Sequence, residues 1–194
     1  MKDGAYYETL NEADNTWSGK AMVTLGNAKD KMTVSMVAAH RHFPEANIEG
    51  CETFEQGAAR VLDPTDHIGA LIVPCLYPGL SGLWADLKMD MVFTDEAAAF
   101  VYGQFGEGLP DYLVTHPAAE RFAKRCPKAK SLEYVDANDK APQAARTLHQ
   151  ELGKTVGFIT AEFIAKHYAS DRIVKVVCAP DPLPFVVLKS RYDD

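Results

Sequence analysis

The chain has 194 residues, 47% of them apolar and 24% charged, with a net charge of −7. That length suits one or two small domains with a real core, and an acidic balance without a basic cluster argues against nucleic acid or an anionic membrane surface as partner. The four cysteines (Cys51, Cys75, Cys126, Cys178) are scattered, with no C-x-x-C pair and no histidine at ligand spacing; this argues against zinc and a disulfide framework and leaves reduced thiols in a cytoplasmic protein as the simple account.

The N-terminus is acidic and polar with no h-region, so no signal peptide is expected, and no apolar run is long enough to span a bilayer. Residues 1–18 have no clear period and read as an extension or a partner contact, with Tyr6, Tyr7 and Trp17 available to dock. Lys20 to Leu25 reads as the first strand, ended by Gly26-Asn27. A charged loop leads to Thr33, a helix N-cap, and the helix runs through His40 to Phe43, where Pro44 stops it. Strand then helix, with free N–H groups at Thr33 to Ser35, is an arrangement that can take an anion; capping is the commoner use of such a threonine and the preferred reading. Asn47 to Cys51 is a short strand. Thr53 caps the next helix, with Gln56 at the reciprocal capping-box position, and that helix ends near Asp63-Pro64.

Ile68 to Val73 is an apolar, β-branched run that reads as a buried strand. It breaks at Pro74 into a loop, Tyr77-Pro78-Gly79, followed by Ser81-Gly82. The order so far is βαβαβ, which predicts a largely parallel sheet with right-handed crossovers. Open sheets of this kind place ligands at the carboxyl ends of their strands, and the Pro74 to Gly79 loop lies at such an end. Met89 to Thr94 and Ala97 to Tyr102 read as further strands, and the Gly-rich segment 103–110 follows. Tyr112 to Thr115 begins a second run of βα units, with His116-Pro117 opening a helix to about Arg125. Leu132 to Val135 is a strand, Ala141 to Leu152 an amphipathic helix ended by Gly153, Thr155 to Thr160 a buried strand, and Ala161 to Tyr168 a helix. Ile173 to Cys178 and Phe185 to Leu188 are the last strands, joined by a stiff loop with three prolines. The expected architecture is α/β in two lobes, each a mostly parallel sheet with flanking helices. An extension at 1–18 precedes a first lobe of 19–87 plus 171–194, and 88–170 form the second.

The order of motifs resembles the prephenate dehydratase-like proteins, which share the two-lobed fold of type 2 periplasmic binding proteins with the active site in the interlobe cleft. Thr24-Leu25-Gly26 and the run from Thr33 to Ala39 resemble the family's opening, with Thr33 and Ser35 on its Thr and Ser. Thr53-Phe54-Glu55, Ile72-Val73-Pro74, Thr115-His116-Pro117 and Gly157 to Thr160 resemble later motifs in the same order. There are departures. Cys75 to Gly79 stands where a dehydratase carries Glu-Asn-Ser, and Leu183-Pro184-Phe185 stands for Thr-Arg-Phe. The first loop, around Asn27 to Lys31, is extended, and no regulatory phenylalanine-binding (ACT) domain follows. Tyr77 with Gly79, and Thr160 with Glu162, are similar to stand-alone prephenate decarboxylases of bacilysin-type antibiotic pathways.

The resemblance implies a cofactor-independent, non-aromatising decarboxylation of prephenate, a lyase reaction needing neither metal nor cofactor. Its implied catalytic residues are His116, Tyr77 and Glu162. The implied substrate-binding residues are Thr24, Thr33, Ser35, Thr53, Pro74, Gly79, Thr160 and Phe185. The implied partner is a small dicarboxylate, and a homodimer is left open. Read from the residues alone, His116 equally caps its helix, Glu162 favours the positive end of a helix dipole, and Tyr77 packs with a wet hydroxyl. His40, His42, His67, His149 and His167 read as surface or packing residues, and Arg121, Arg172 and Arg191 as solvated. A dehydratase without its regulatory domain and a non-catalytic carboxylate-binding protein are the competing readings.

Overall fold

The computed structural model describes residues 21–26, 33–126, 128–136, 140–168, 175–178 and 181–192. The 1–18 extension, the first loop at 27–31, Arg172, Ile173 and residues 179–180 lie outside the described residues, as does the side chain of His167. The chain divides into two compact units, Met1–Phe93 with Pro184–Asp194, and Thr94–Leu183.

In the first unit, β1 (Ala21–Leu25), α1 (Val34–His42), β2 (Asn47–Cys51), α2 (Phe54–Leu62) and β3 (Ile68–Pro74) follow the expected βαβαβ order. A short helix, α3 (Leu80–Leu83), leads to β4 (Leu87–Asp95), and β10 (Leu183–Ser190) completes the sheet in the order β2-β1-β3-β10-β4. β1 pairs in parallel with β2 (Thr24 opposite Gly50) and with β3 (Thr24 opposite Ile72), while β10 is antiparallel to β3 (Phe185 opposite Pro74). Asp86 meets Tyr192, Asp90 meets Lys189 and Phe93 meets Phe185, a reversed order that makes β4 antiparallel to β10. One strand, β10, is thus reversed among five.

The chain leaves β1 for β2 on one side and crosses back over β1 to reach β3. Right-handed crossovers then place α1 and α2 on opposite faces of the sheet, with β1 where the strand order reverses. α2 buries Phe54, Ala58 and Val61 against Val23, Leu71, Val73, Val186 and Leu188. Strand alternation turns Phe185 to the other face. There it stacks on Phe93 at 5.2 Å and 12°, and Phe93 meets the edge of Phe43. Each such buried aromatic contributes about 2–3 kcal/mol.

In the second unit, β5 (Phe100–Phe105), β6 (Tyr112–Thr115), β7 (Ser131–Tyr134), β8 (Val156–Ala161) and β9 (Lys175–Cys178) form a sheet in the order β7-β6-β8-β5-β9. β6 pairs in parallel with β7 and β8, and β5 is antiparallel to β8 and β9. The reversed strand again stands fourth in the order. The helices are α4 (Glu120–Ala123), α5 (Lys140–Leu152) and α6 (Glu162–Tyr168). α5 packs Ala141 and Ala145 on Val114, Val156 and Phe158, and Gly153, at φ +61°, ends it by donating to His149 O. Two glycines seat aromatic rings across the β5–β8 pair. A Cβ on Gly103 would lie 2.3 Å from the Phe158 ring, and one on Gly157 would lie 2.7 Å from the Tyr102 hydroxyl.

The structure differs from the sequence expectation in three places. The strand read from Ala97 begins at Phe100, because Asp95 accepts from Ala97 N at 2.9 Å and turns Glu96–Ala98 into a 3-10 helix. The helix read from His116 to Arg125 is a 3-10 turn, Pro117–Ala119, followed by the single turn α4. β9 lies in the second sheet, not with the last strand in the first, because its main chain pairs antiparallel with β5.

Candidate functional site

In the first unit the carboxyl ends of β1, β2 and β3 lead into α1, α2 and the loop before α3. Gly26 closes β1 by donating to Cys51 O at 2.9 Å, and Cys51 Sγ donates back to Thr24 O at 3.2 Å. Burial pushes the Cys51 thiol up to about 11, so it is a packed thiol. Thr24 is fully buried and its hydroxyl donates to Ile72 O at 2.7 Å, which ties β1 to β3 below the mouth.

Thr33 caps α1. Its Oγ1 accepts from Met36 N at 3.2 Å and donates to Leu25 O at 2.7 Å, while its carbonyl accepts from Val37 N. The capping use and the anion use are compatible, because a cap satisfies only one of the early N–H groups. Among the described residues, nothing accepts from the Val34 or Ser35 N–H. The Ser35 hydroxyl also has no partner among the described residues, although Ser35 is only 3% exposed. No acidic residue stands in the first turn. This helix end therefore offers two N–H donors and a buried hydroxyl at its positive pole.

The α2 end is built from the same cap residue and is already filled. Thr53 Oγ1 accepts from Gln56 N at 3.1 Å, and Gln56 Oε1 reaches back to accept from Glu52 N, one residue before the cap, at 3.2 Å. The Glu55 carboxylate lies in this first turn. It accepts from the Tyr77 hydroxyl at 2.5 Å and also from its own N–H and the Thr53 hydroxyl, and these bonds hold it below the usual carboxylate range. Thr53 is thus engaged in capping.

Tyr77 packs its ring on Phe54 at 4.7 Å, on the α2 face of the sheet, and covers Gly79, where a Cβ would lie 2.6 Å from the ring. The hydrogen bond to Glu55, together with burial, pushes the Tyr77 hydroxyl up to about 12. Its proton is held by a carboxylate of the chain itself. Gly79 caps α3 without a side-chain bond. Pro74 ends β3 opposite Phe185, and Cys75 N donates to Pro184 O at 2.8 Å, so the loop is pinned to the start of β10. Leu183 is 2% exposed and brings no polar group to that end.

In the second unit, β6 and β8 run in parallel with Thr115 opposite Ile159, so His116 and Thr160 stand side by side at their carboxyl ends. The His116 carbonyl accepts from Ala119 N at 2.8 Å and from the Thr115 hydroxyl at 3.2 Å. Burial lowers the His116 imidazole below its ordinary range, opposed by hydrogen bonding to the Asp136 main chain. The ring is neutral at pH 7 and suits a base or a neutral donor better than an acid. Thr160 is fully buried in the ladder opposite Val101. Glu162 N donates to Ala99 O at 2.6 Å, and its carboxylate pairs with Lys166 at 2.5 Å. Sequence reasoning missed Glu55 as the partner of Tyr77. The signal was present only as an acidic residue two places after a cap.

Among the described residues no group of three or more His, Cys, Asp or Glu is arranged to hold a metal ion, and no helix is long and apolar enough to cross a membrane.

The arrangement is that of an α/β protein with two mixed sheets and flanking helices, and its fold is like that of periplasmic-binding-protein-like structures. Among solved structures, the chain is similar to the prephenate dehydratase of Arthrobacter aurescens in complex with L-Phe. The two share 15% identity over 89% of this chain and 61% of that one, with a TM-score of 0.55. It is also similar to the periplasmic VFT2 domain of BvgS from Bordetella pertussis, at 12% identity over 96% of this chain and 86% of that one, with a TM-score of 0.51. An ABC transporter protein from Parabacteroides distasonis gives 9% identity over 90% and 66%, with a TM-score of 0.55. At these identities the likeness is one of fold. The chain spans less than two thirds of the dehydratase's length. No family model matches the chain, and no curated protein sequence matches it.

Proposed function

We propose that the protein is an enzyme of small-carboxylate chemistry, and that its substrate is prephenate, which it decarboxylates without aromatising the ring. The observation that carries this reading is the open α1 end: two N–H donors and the buried Ser35 hydroxyl at a positive pole with no acidic residue in its first turn. A carboxylate is the ligand group that such an end takes. In the reaction, the bond from the ring to its carboxylate breaks and carbon dioxide leaves. The electron pair enters the ring system, a ring carbon takes a proton, and the 4-hydroxyl stays. Retaining that hydroxyl requires that no acid protonate it, and Leu183 and Pro184 supply none. Of the three proton-transfer candidates, His116 carries an imidazole that burial keeps neutral, whereas Tyr77 donates to Glu55 and Glu162 pairs with Lys166. The reading places the protein in the cytoplasm and in specialised-metabolite biosynthesis.

A second reading is a non-catalytic carboxylate-binding protein. The engagement of Tyr77 by Glu55 and of Glu162 by Lys166 favours it, because a binder needs an anion seat and no mobile proton. The dehydratase reading is the weakest, since Leu183-Pro184 cannot expel hydroxide.

The test is turnover. Purified protein is mixed with prephenate and followed by ultraviolet absorbance and mass detection. Loss of carbon dioxide with the hydroxyl retained and no phenylpyruvate is the expected outcome. Phenylpyruvate above the uncatalysed background refutes the argument from Leu183 and Pro184. No turnover, with prephenate raising the melting temperature, establishes the binding reading instead.

A further inference from the structure

The contact between Glu55 and Tyr77 lies outside the α1 seat, on a loop that borders it. β1 and β3 pair with Thr24 opposite Ile72, so Gly26 and Pro74 leave the sheet side by side. The chain beyond Gly26 leads to α1, and the chain beyond Pro74 is the loop to α3. That loop is fastened twice. Cys75 N donates to Pro184 O at 2.8 Å where the loop begins. At its middle the Tyr77 ring packs on Phe54, and the Tyr77 hydroxyl donates to Glu55 at 2.5 Å. Both partners stand in the first turn of α2, on the sheet face opposite α1.

The contact is built to hold a side chain rather than to move a proton. Glu55 accepts from Tyr77, from its own N–H and from the Thr53 hydroxyl, which keeps it an anion at the positive pole of α2. A hydroxyl that donates to such an anion makes a charge-assisted bond. That bond, with burial, pushes the hydroxyl up to about 12, so Tyr77 keeps its proton at pH 7. Gly79 gives the ring its place. Its backbone, at φ −81° and ψ −1°, accepts other residues, but a Cβ there would lie 2.6 Å from the Tyr77 ring and 2.7 Å from its hydroxyl. A side chain at position 79 would therefore push Tyr77 off Glu55 without altering either group.

We propose that Glu55 is a positioning residue: through Tyr77 it holds the loop between β3 and α3 on the α2 side and keeps the mouth of the α1 seat clear. The inference rests on the reading of the α1 end as the ligand seat, and it makes Tyr77 part of the frame and not a proton donor. Tyr77→Phe, Glu55→Ala and Gly79→Ala break the same bond in three ways. Each is expected to raise KM for prephenate about fivefold, the worth of one hydrogen bond, with kcat within about twofold of wild type. Amide exchange at Leu80 and Gly82, whose N–H groups bond to Tyr77 O and Gly79 O, should rise about fivefold in each. Exchange at Gly57, bonded to Thr53 O inside α2, should stay unchanged in Tyr77→Phe and Gly79→Ala. Glu55→Gln keeps an acceptor oxygen and should stay nearer wild type than Glu55→Ala. Tyr77→Phe combined with Glu55→Ala should be no worse than the worse single variant. Additive effects overturn the proposal. So does a loss of kcat of about a hundredfold in Tyr77→Phe at unchanged KM, the mark of a proton donor. A chain that does not turn prephenate over overturns the proposed function alone. The exchange measurements then decide the positioning role, and unchanged exchange at Leu80 and Gly82 overturns it.

Discussion

The starts of α1 and α2 are the same device in two states. Both follow a parallel strand, both are capped by a threonine, and both helices are nine residues long. At α2 the chain places its own anion, Glu55, at the positive pole and fixes it with the hydroxyls of Thr53 and Tyr77. At α1 the equivalent place holds a buried serine and no acid. A threonine at a helix start therefore says little by itself about binding. What separates a structural cap from a ligand seat is whether the chain supplies the counter-charge.

The largest effect expected on this contrast comes from closing the open end. Gly26 has φ +153°, and a Cβ there would lie 2.5 Å from Met36 Cγ in the first turn of α1. Gly26→Val should cost about 1–3 kcal/mol in denaturant unfolding and abolish carboxylate binding by calorimetry. Next come the two caps. Thr33→Ala and Thr53→Ala should each cost about 1 kcal/mol of stability; only Thr33→Ala should also weaken ligand binding. Equal binding losses in both would erase the distinction. Ser35→Ala should leave stability nearly unchanged, because the hydroxyl it removes has no partner among the described residues. It should weaken prephenate binding about tenfold, the effect of one hydrogen bond to a charged group. A variant that binds normally would show that the seat is not used.

The smallest effect carries the contrast to the second unit, where the titratable group is His116. Its folded pKa lies below the ordinary value of 6.5, so the unfolded chain takes up the proton first as pH falls. Wild-type stability relative to His116→Gln should therefore be constant above about pH 7.5 and decline as pH drops through 6.5. Unfolding curves for both proteins across that range measure it, and a difference that does not change with pH would place the imidazole in solvent.

Much of the fold was legible because its signals are local. β1, β3 and β8 are continuous apolar runs, Thr33, Thr53 and Gly153 mark helix ends, and Pro44 stops α1. The places that misled are those where distant partners decide. Nothing near Tyr77 says that its ring turns to Phe54 and its hydroxyl to Glu55, 22 positions earlier. The segment Glu96 to Ala99 is apolar enough for a strand, and only the Asp95 side chain makes it a 3-10 turn. β9 is too short to declare its sheet. Thr33, Ser35, Pro74 and Phe185 do cluster at strand ends of one unit. Whether a hydroxyl there faces a ligand or a carbonyl is set by main-chain groups that no motif records.

The ring seats at Gly103 and Gly157 bear on how the second sheet finds its register. β5 and β8 are separated by about fifty residues of chain, so their pairing forms late and at a high loop-closure cost. A slip of one position would bring the Phe158 ring against a residue that carries a Cβ, and the Tyr102 ring likewise. Only the native alignment gives both rings a flat floor. The two glycines thus add shape to hydrogen bonding in specifying which alignment of the strands fits.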